Sequence, residues 1–335
     1  MMSRFSYLIE KIEAAEFTEF PFRHIYIDEF FSPDDFGEIT TAPEIALSPA
    51  RSDEHLFSLL FEQGYKIIDF PGCVTDQGRY IRWHAERKVT HNVTNTACEG
   101  FGVTLRLIAP QSPFISQLRE FLSGDRFQSA AAAKFGVSSN AVYADNGIQK
   151  YLDGYEISPH PDVRKKALTY MVNINPHPNS EELDHHTHYL KFKDQYRYIE
   201  KFWQHNPDVD RCWFPWDWCE SKSVQTKNNS IVLFSPSNDT MHGVKTNYDH
   251  LPAQRTQLYG NLWYHDVAFQ TDYPGWEDYV IGGDRRHVSP LSAIKSHLPA
   301  PIRTLAKQVL AMGRGKSNVI GDRIKHHQAE NNEPL

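Results

Sequence analysis

From Phe101 apolar and polar residues alternate with period two, and Phe101, Val103, Leu105 and Leu107 fall on one face. Segments at 147–157, 167–174, 230–234, 241–246 and 255–264 carry the same signature. Their β-branched and aromatic content, punctuated by Pro, Asn, Asp and Gly, predicts strands, and a succession of such strands predicts a mainly β barrel or sandwich. Ahead of residue 101 the pattern is mixed. MMSRFSYLIEKIEAAEF sets Glu10, Glu13 and Glu16 among apolar positions, which predicts an amphipathic helix. HIYIDEFFSPDDFGEI (24–39) opens with strand-like alternation, and Ser32-Pro33 followed by Asp34 and Asp35 marks a helix start.

Two regions interrupt the strands. Residues 177–222 are polar and aromatic, from His177 to the Trp-rich WFPWDWC, and read as an insertion beside the barrel mouth. After about 268 the tail contains Ile302, Leu305, Ala306, Val309 and Leu310, one apolar helix stripe. The expected organisation is therefore a helical or mixed cap over 1–100, a β core over 101–267, and a C-terminal tail over 268–335 with an amphipathic helix. That helix, at 299–312, carries Arg303 and Lys307 beside its stripe and could touch a membrane surface weakly or pack on the barrel.

Composition narrows the function classes. Hydrophobic residues make up 40% and charged residues 23% of the 335, an ordinary globular balance. A net charge of −7 gives no electrostatic reason to expect a nucleic-acid partner. The 13% aromatic content suits a well-filled β core or an aromatic pocket. Cys73, Cys98, Cys212 and Cys219 have neither Cys-x-x-Cys spacing nor the density of a disulfide framework. The N-terminus lacks the apolar core of a signal peptide, and no apolar run reaches the roughly 20 residues of a bilayer span. A soluble, cytoplasmic protein is the expectation.

The candidate chemistry lies in YLDGYEISPHPD (151–162). His160 and Asp162 are two apart at what reads as a strand end, so both side chains project from one face. A second imidazole is available at His242, in a turn after the apolar run SIVLF. Two histidines and one carboxylate leave three octahedral positions open on a metal, the facial triad of non-haem Fe(II) oxygenases. Arg255 follows thirteen residues after His242, and Arg255, Gln257, Tyr259 and Asn261 share one face of a strand. A polar strand face inside a barrel implies a polar ligand, and a guanidinium grips a carboxylate through two parallel hydrogen bonds. Asp184, His185, His186 and His188 form a second dense cluster, read as solvated side chains of an exposed loop. GRGKS (313–317) lacks the first glycine of a phosphate loop, and neither His-Glu-x-x-His nor Gly-x-Ser-x-Gly occurs.

His160-x-Asp162, His242 and Arg255, in that order, resemble the 2-oxoglutarate/Fe(II)-dependent oxygenase superfamily, particularly its prolyl-4-hydroxylase-like branch. Residues 24–39 resemble the opening of many of its members. The resemblance covers about residues 22–266. It implies a double-stranded β-helix of the jelly-roll or cupin-like kind. It implies His160, Asp162 and His242 as ligands of Fe(II), and Arg255 on the far carboxylate of 2-oxoglutarate. It also implies that Tyr151, Asn173 and Gln257 contact that co-substrate. O2 would be the second co-substrate and ascorbate a candidate reductant. 2-Oxoglutarate would be decarboxylated to succinate as a small metabolite, carbohydrate or lipid-linked substrate is hydroxylated. Asp162 stands where halogenating relatives lack a carboxylate. A protein prolyl hydroxylase and a non-catalytic cupin-like metal or sugar binder are the alternative readings.

Overall fold

The computed structural model describes residues 3–69, 73–90 and 102–266, with only the backbone at 87–90. All of them lie in one compact unit, Met1–Tyr273. Phe101, Cys98 and the 299–312 segment fall outside the described residues. Among the described residues no helix is long and apolar enough to cross a membrane.

The N-terminal part gives α1 (Ser6–Ala14), β1 (Ile25–Ile27), α2 (Pro33–Thr41), α3 (Asp53–Glu62), β2 (Tyr65–Ile67) and α4 (Gln77–Thr90). α1 buries Leu8, Ile9 and Ile12 and leaves Glu10 and Glu13 in solvent, as its stripe dictates. α2 starts where the sequence placed it, with the Ser32 hydroxyl accepting from the Asp35 N–H. Then come β3 (Thr104–Leu107) and two helices, α5 (Pro113–Ser123) and α6 (Asp125–Lys134), which the period-two reading from Phe101 missed. Ser112 caps α5, Pro113 occupies its first turn, and Phe114, Ile115, Leu118 and Leu122 make its buried face.

The remaining strands are β4 (Val142–Tyr151), β5 (Glu156–His160), β6 (Lys166–Asn173), β7 (Thr187–Phe192), β8 (Cys219–Gln225), β9 (Ile231–Phe234), β10 (His242–Lys245) and β11 (Arg255–Tyr264). The segment 147–157, read as one strand, is two. The chain leaves β4 at Tyr151 and turns through Gly154, whose φ of +75° is a left-handed conformation that favours glycine, before β5 begins. β4 pairs with β11, β5 with β10, β6 with β9 and β7 with β8, all antiparallel. These nested pairs describe one long hairpin rolled over on itself, with successive turns landing in alternate sheets. The result is a double-stranded β-helix. Its large sheet has the order β1-β9-β6-β11-β4-β3-β2, and its small sheet β5-β10-β7-β8.

Two expectations change in detail. The polar segment 177–222 contains β7 and the start of β8, so the true excursion is the tip between them, from Lys193 to Trp218, with α7 (Tyr198–His205) inside it. The N-terminal part, expected as a helical or mixed cap, also supplies β1 and β2 to the large sheet.

The apolar core sits on the outer face of the large sheet. Ile148, Leu168, Tyr170, Val172, Leu258 and Leu262 meet the helices there. The alternate positions, Gln149, Tyr151, Thr169, Met171, Gln257 and Asn261, point between the sheets and line a cavity. The period-two pattern therefore separates an apolar outside from a polar inside, which is what makes the interior a place for a ligand.

Candidate metal and co-substrate site

The register of the small sheet places His242 directly opposite His160, the first residue of β10 against the last of β5. Their ring centroids lie 4.2 Å apart. Asp162 is beyond the end of β5 and has a φ of +74°. The side chains therefore meet through a left-handed kink rather than through strand alternation. Asp is one of the few residues that adopts this conformation at modest cost. The kink leaves His160 Nε2 3.6 Å from Asp162 Oδ1, and His242 Nε2 3.9 Å from Asp162 Oδ2.

Both distances exceed a hydrogen bond. They match ligand atoms sharing one ion, since atoms about 2.1 Å from a metal sit roughly 3–4 Å from one another. The protonation pattern agrees. His160 Nδ1 donates to the Ser158 carbonyl and His242 Nδ1 to the Thr240 carbonyl, each at 2.9 Å. Each proton is thereby fixed on Nδ1, and each Nε2 lone pair faces the site. Burial, helped by His160, lowers His242 to about 3, so its imidazole is neutral. Burial opposes ionisation of Asp162, but Lys166 and the two imidazoles hold its carboxyl well below the usual range. Lys166 Nζ donates to Asp162 Oδ1 at 2.6 Å and Thr169 Oγ1 to Oδ2 at 2.7 Å. Two imidazole nitrogens and one carboxylate, each held from behind, make a donor set that fits a divalent transition metal.

Arg255 opens β11 and pairs with Tyr151, the last residue of β4. Its guanidinium lies 4.6 Å from the centre of the Tyr151 ring, and Nη2 donates to Thr187 Oγ1 on β7 at 2.9 Å. The side chain is only 2% exposed, and among the described residues no carboxylate pairs with it. The groups acting on its charge are phenols, those of Tyr151, Tyr155, Tyr248 and Tyr189. Burying a cation without a counter-ion is costly. Facing a cavity, such a cation makes a site for an anion.

Gln257 and Tyr151 line the same cavity as Arg255 and the triad. Asn173 does not. Its amide donates to the Gln225 and Lys227 carbonyls, at 2.8 and 3.1 Å, and its oxygen accepts from Gln257. Asn173 holds Gln257 in place and is not a wall of the cavity. The expectation of solvated side chains at Asp184, His185, His186 and His188 fails for His185 and His186. His185 and His186 are 1% and 5% exposed, packed against each other and, for His185, against Tyr248. Burial lowers His185 to about 2 and His186 to about 4, so both are neutral. The polar residues flanking them suggested a surface loop, but they stand directly before β7, and His185 packs against Tyr248.

Sequence reasoning missed Lys166, Thr169, Thr187 and Tyr155. Thr169 and Thr187 sit at inward positions of strands, a weak signal beside an aspartate and an arginine that seek donors and acceptors. Nothing in the pattern distinguishes Lys166 from a surface lysine.

No protein-family model matches the chain, and no curated protein does. Solved structures do resemble it. A Pseudomonas putida prolyl-4-hydroxylase is 10% identical, with a TM-score of 0.34, over 78% of this chain and 98% of that one. A 2OG-Fe(II) oxygenase-family oxidoreductase from Burkholderia pseudomallei is 12% identical at a TM-score of 0.28, over 65% and 93%. EvdO2 from Micromonospora carbonacea is 13% identical at 0.29, over 65% and 92%.

Proposed function

We propose that the protein is an Fe(II)- and 2-oxoglutarate-dependent dioxygenase, with His160, Asp162 and His242 as its metal ligands and Arg255 as the anchor of the co-substrate. The observation that carries this reading is the buried, carboxylate-free guanidinium of Arg255 opening into the cavity where the three donor atoms converge. A dicarboxylic keto acid matches both ends, chelating a metal with one and meeting Arg255 with the other. Bound Fe(II) would supply the oxidative chemistry by which O2 decarboxylates 2-oxoglutarate and hydroxylates a substrate, with ascorbate as an auxiliary reductant.

The chain's own residues do the rest. Thr169 and Lys166 fix both oxygens of Asp162, and the Ser158 and Thr240 carbonyls fix both imidazoles. Gln257, held by Asn173, and the Tyr151 ring line the co-substrate end. Trp213, on the excursion between β7 and β8, and Trp263, on β11, line the cavity elsewhere. Asn261 lines it too, its side-chain amide 3.1 Å from the Thr169 hydroxyl, whose one proton goes to Asp162. Tryptophan rings and an amide side chain in one cavity favour a small substrate with polar groups on a ring or apolar body, such as a hydroxylated metabolite, a sugar or a lipid-linked compound. Asp162, occupying a ligand position with a carboxylate, favours hydroxylation over halogenation.

The test is Fe(II)-dependent release of succinate from 2-oxoglutarate, measured without and then with metabolite pools. Release that requires Fe(II) and disappears in Asp162→Ala supports the reading. Metal binding with no consumption of 2-oxoglutarate under any pool would favour a non-catalytic binding protein.

A further inference from the structure

A second His/Asp constellation lies away from the triad. Asp53 at the start of α3, His84 on α4, Asp153 in the β4–β5 turn and His250 in the loop before β11 form a closed cycle of hydrogen bonds. His84 Nδ1 donates to Asp53 Oδ2 at 2.7 Å and Nε2 to Asp153 Oδ2 at 3.1 Å. His250 Nε2 donates to Asp53 Oδ1 at 2.7 Å, and the Asp153 N–H donates to His250 Nδ1 at 2.9 Å. Both imidazoles are 1% exposed.

Asp53, His84 and His250 have the composition of a metal site, with donor atoms close enough for one. The proton order argues against it. His250 Nδ1 receives a backbone N–H, so it holds the lone pair and the ring proton must sit on Nε2, the atom that would have to bind the ion. The contacts of 2.7 Å are hydrogen bonds, whereas the triad's 3.6 and 3.9 Å are not. Both nitrogens of His84 lie within hydrogen-bond reach of carboxylates, those of Asp53 and Asp153, at 2.7 and 3.1 Å. Burial pushes the Asp53 carboxyl up, but its hydrogen bonds from His250 and His84 carry it well below the usual range.

The cycle has a definite address. Asp153 sits between Tyr151 and Tyr155, which both line the cavity, and Asp153 Oδ1 also accepts from the Tyr248 N–H at 3.1 Å. The Tyr248 hydroxyl donates to the Tyr151 carbonyl and accepts from the Arg255 N–H, the latter at 2.8 Å. The four residues thus tie two loops together where one ends in the phenols around Arg255 and the other leads into Arg255 itself. Tyr80, stacked on His84, adds a hydrogen bond to the Asp153 carbonyl.

We infer that Asp53, His84, Asp153 and His250 form a metal-free clasp by which the N-terminal helices position Arg255 for its anionic co-substrate. The four are positioning residues and touch neither metal nor co-substrate. The inference rests on the function proposed above.

The experiment is calorimetric titration of the full chain with Mn(II), then of the Mn(II) form with 2-oxoglutarate. Wild type should bind one Mn(II) and then 2-oxoglutarate. Asp53→Asn should bind one Mn(II) with unchanged affinity while its Kd for 2-oxoglutarate rises about tenfold. His84→Gln is the second variant, should Asp53→Asn fail to fold, and the same separation is expected of it. Leu118→Ala in α5, a core truncation with no part in the clasp's hydrogen bonds, should lower thermal stability and leave both affinities alone. A stoichiometry of two in wild type that falls to one in Asp53→Asn would overturn the metal-free clasp. An unchanged 2-oxoglutarate Kd in a folded variant would overturn the positioning role. Wild type that binds Mn(II) but no 2-oxoglutarate would instead overturn the proposed function, and the positioning role with it.

Discussion

Arg255 and Lys150 are both buried cations, and their surroundings give them opposite fates. Arg255 stays charged at any physiological pH and faces the cavity. Truncating it removes a charge-assisted carboxylate contact of about 1.5–3 kcal/mol, so Arg255→Ala should weaken 2-oxoglutarate roughly 10- to 150-fold in a binding titration while Mn(II) affinity holds. Lys150 points the other way on β4, donating to the Ile45 carbonyl at 2.8 Å and Thr256 Oγ1 at 2.7 Å, with burial lowering it to about 7. An unfolded lysine titrates near 10.4. Between those values the unfolded chain binds the extra proton, so stability should rise with pH, by about 1.4 kcal/mol for each unit separating the two pKa values. Urea denaturation between pH 6 and 10 checks this, and Lys150→Met should flatten that part of the profile. A profile identical in wild type and variant would mean that Lys150 is charged in the fold.

At the scale of the element, capping and close approach decide local geometry. Ser32→Ala removes the hydroxyl that caps α2 and should cost about 1 kcal/mol in a denaturation midpoint without touching metal binding. Gly243, next to His242 on β10, has Trp216 Cη2 3.0 Å from where a Cβ would stand, and the Ile157 carbonyl oxygen at 3.1 Å. Gly243→Val should therefore push β10 off β5 or expel Trp216, and Mn(II) affinity should fall although every ligand is retained. These elements also mark what the sequence made legible. Strands β6 and β11 were readable because their faces differ, apolar toward the helices and polar toward the cavity, β9 from its apolar run and β10 from the turn residues before it. α2 was readable from Ser32, Pro33 and the acidic residues after them. α5 and α6 were not, because the β pattern starting at Phe101 was carried past Leu107, over a Ser-Pro start of the same kind as α2's. The burial of His185 and His186 was invisible as well, since polar neighbours in sequence do not say which segment lies beneath another. Asp162 was found beside His160 for a partly mistaken reason, its place owed to a left-handed φ rather than to strand alternation.

For the molecule as a whole, the nested pairs β4–β11 to β7–β8 bring together groups far apart in sequence. The small sheet sets His242 opposite His160, and the large sheet sets Arg255 opposite Tyr151. Among the described residues a buried guanidinium with no carboxylate partner thus lines the same cavity as a carboxylate flanked by two imidazoles. The N-terminal strands β1 and β2 extend the large sheet, and Asp53 and His84 link the N-terminal helices to Asp153 and His250. The most direct measurement is anomalous diffraction from crystals grown with Mn(II) and 2-oxoglutarate. The account predicts one manganese peak held by His160 Nε2, His242 Nε2 and an Asp162 oxygen, with the ligand's far carboxylate on Arg255. A peak between Asp53, His84 and His250, or Arg255 turned away from the ligand, would contradict it.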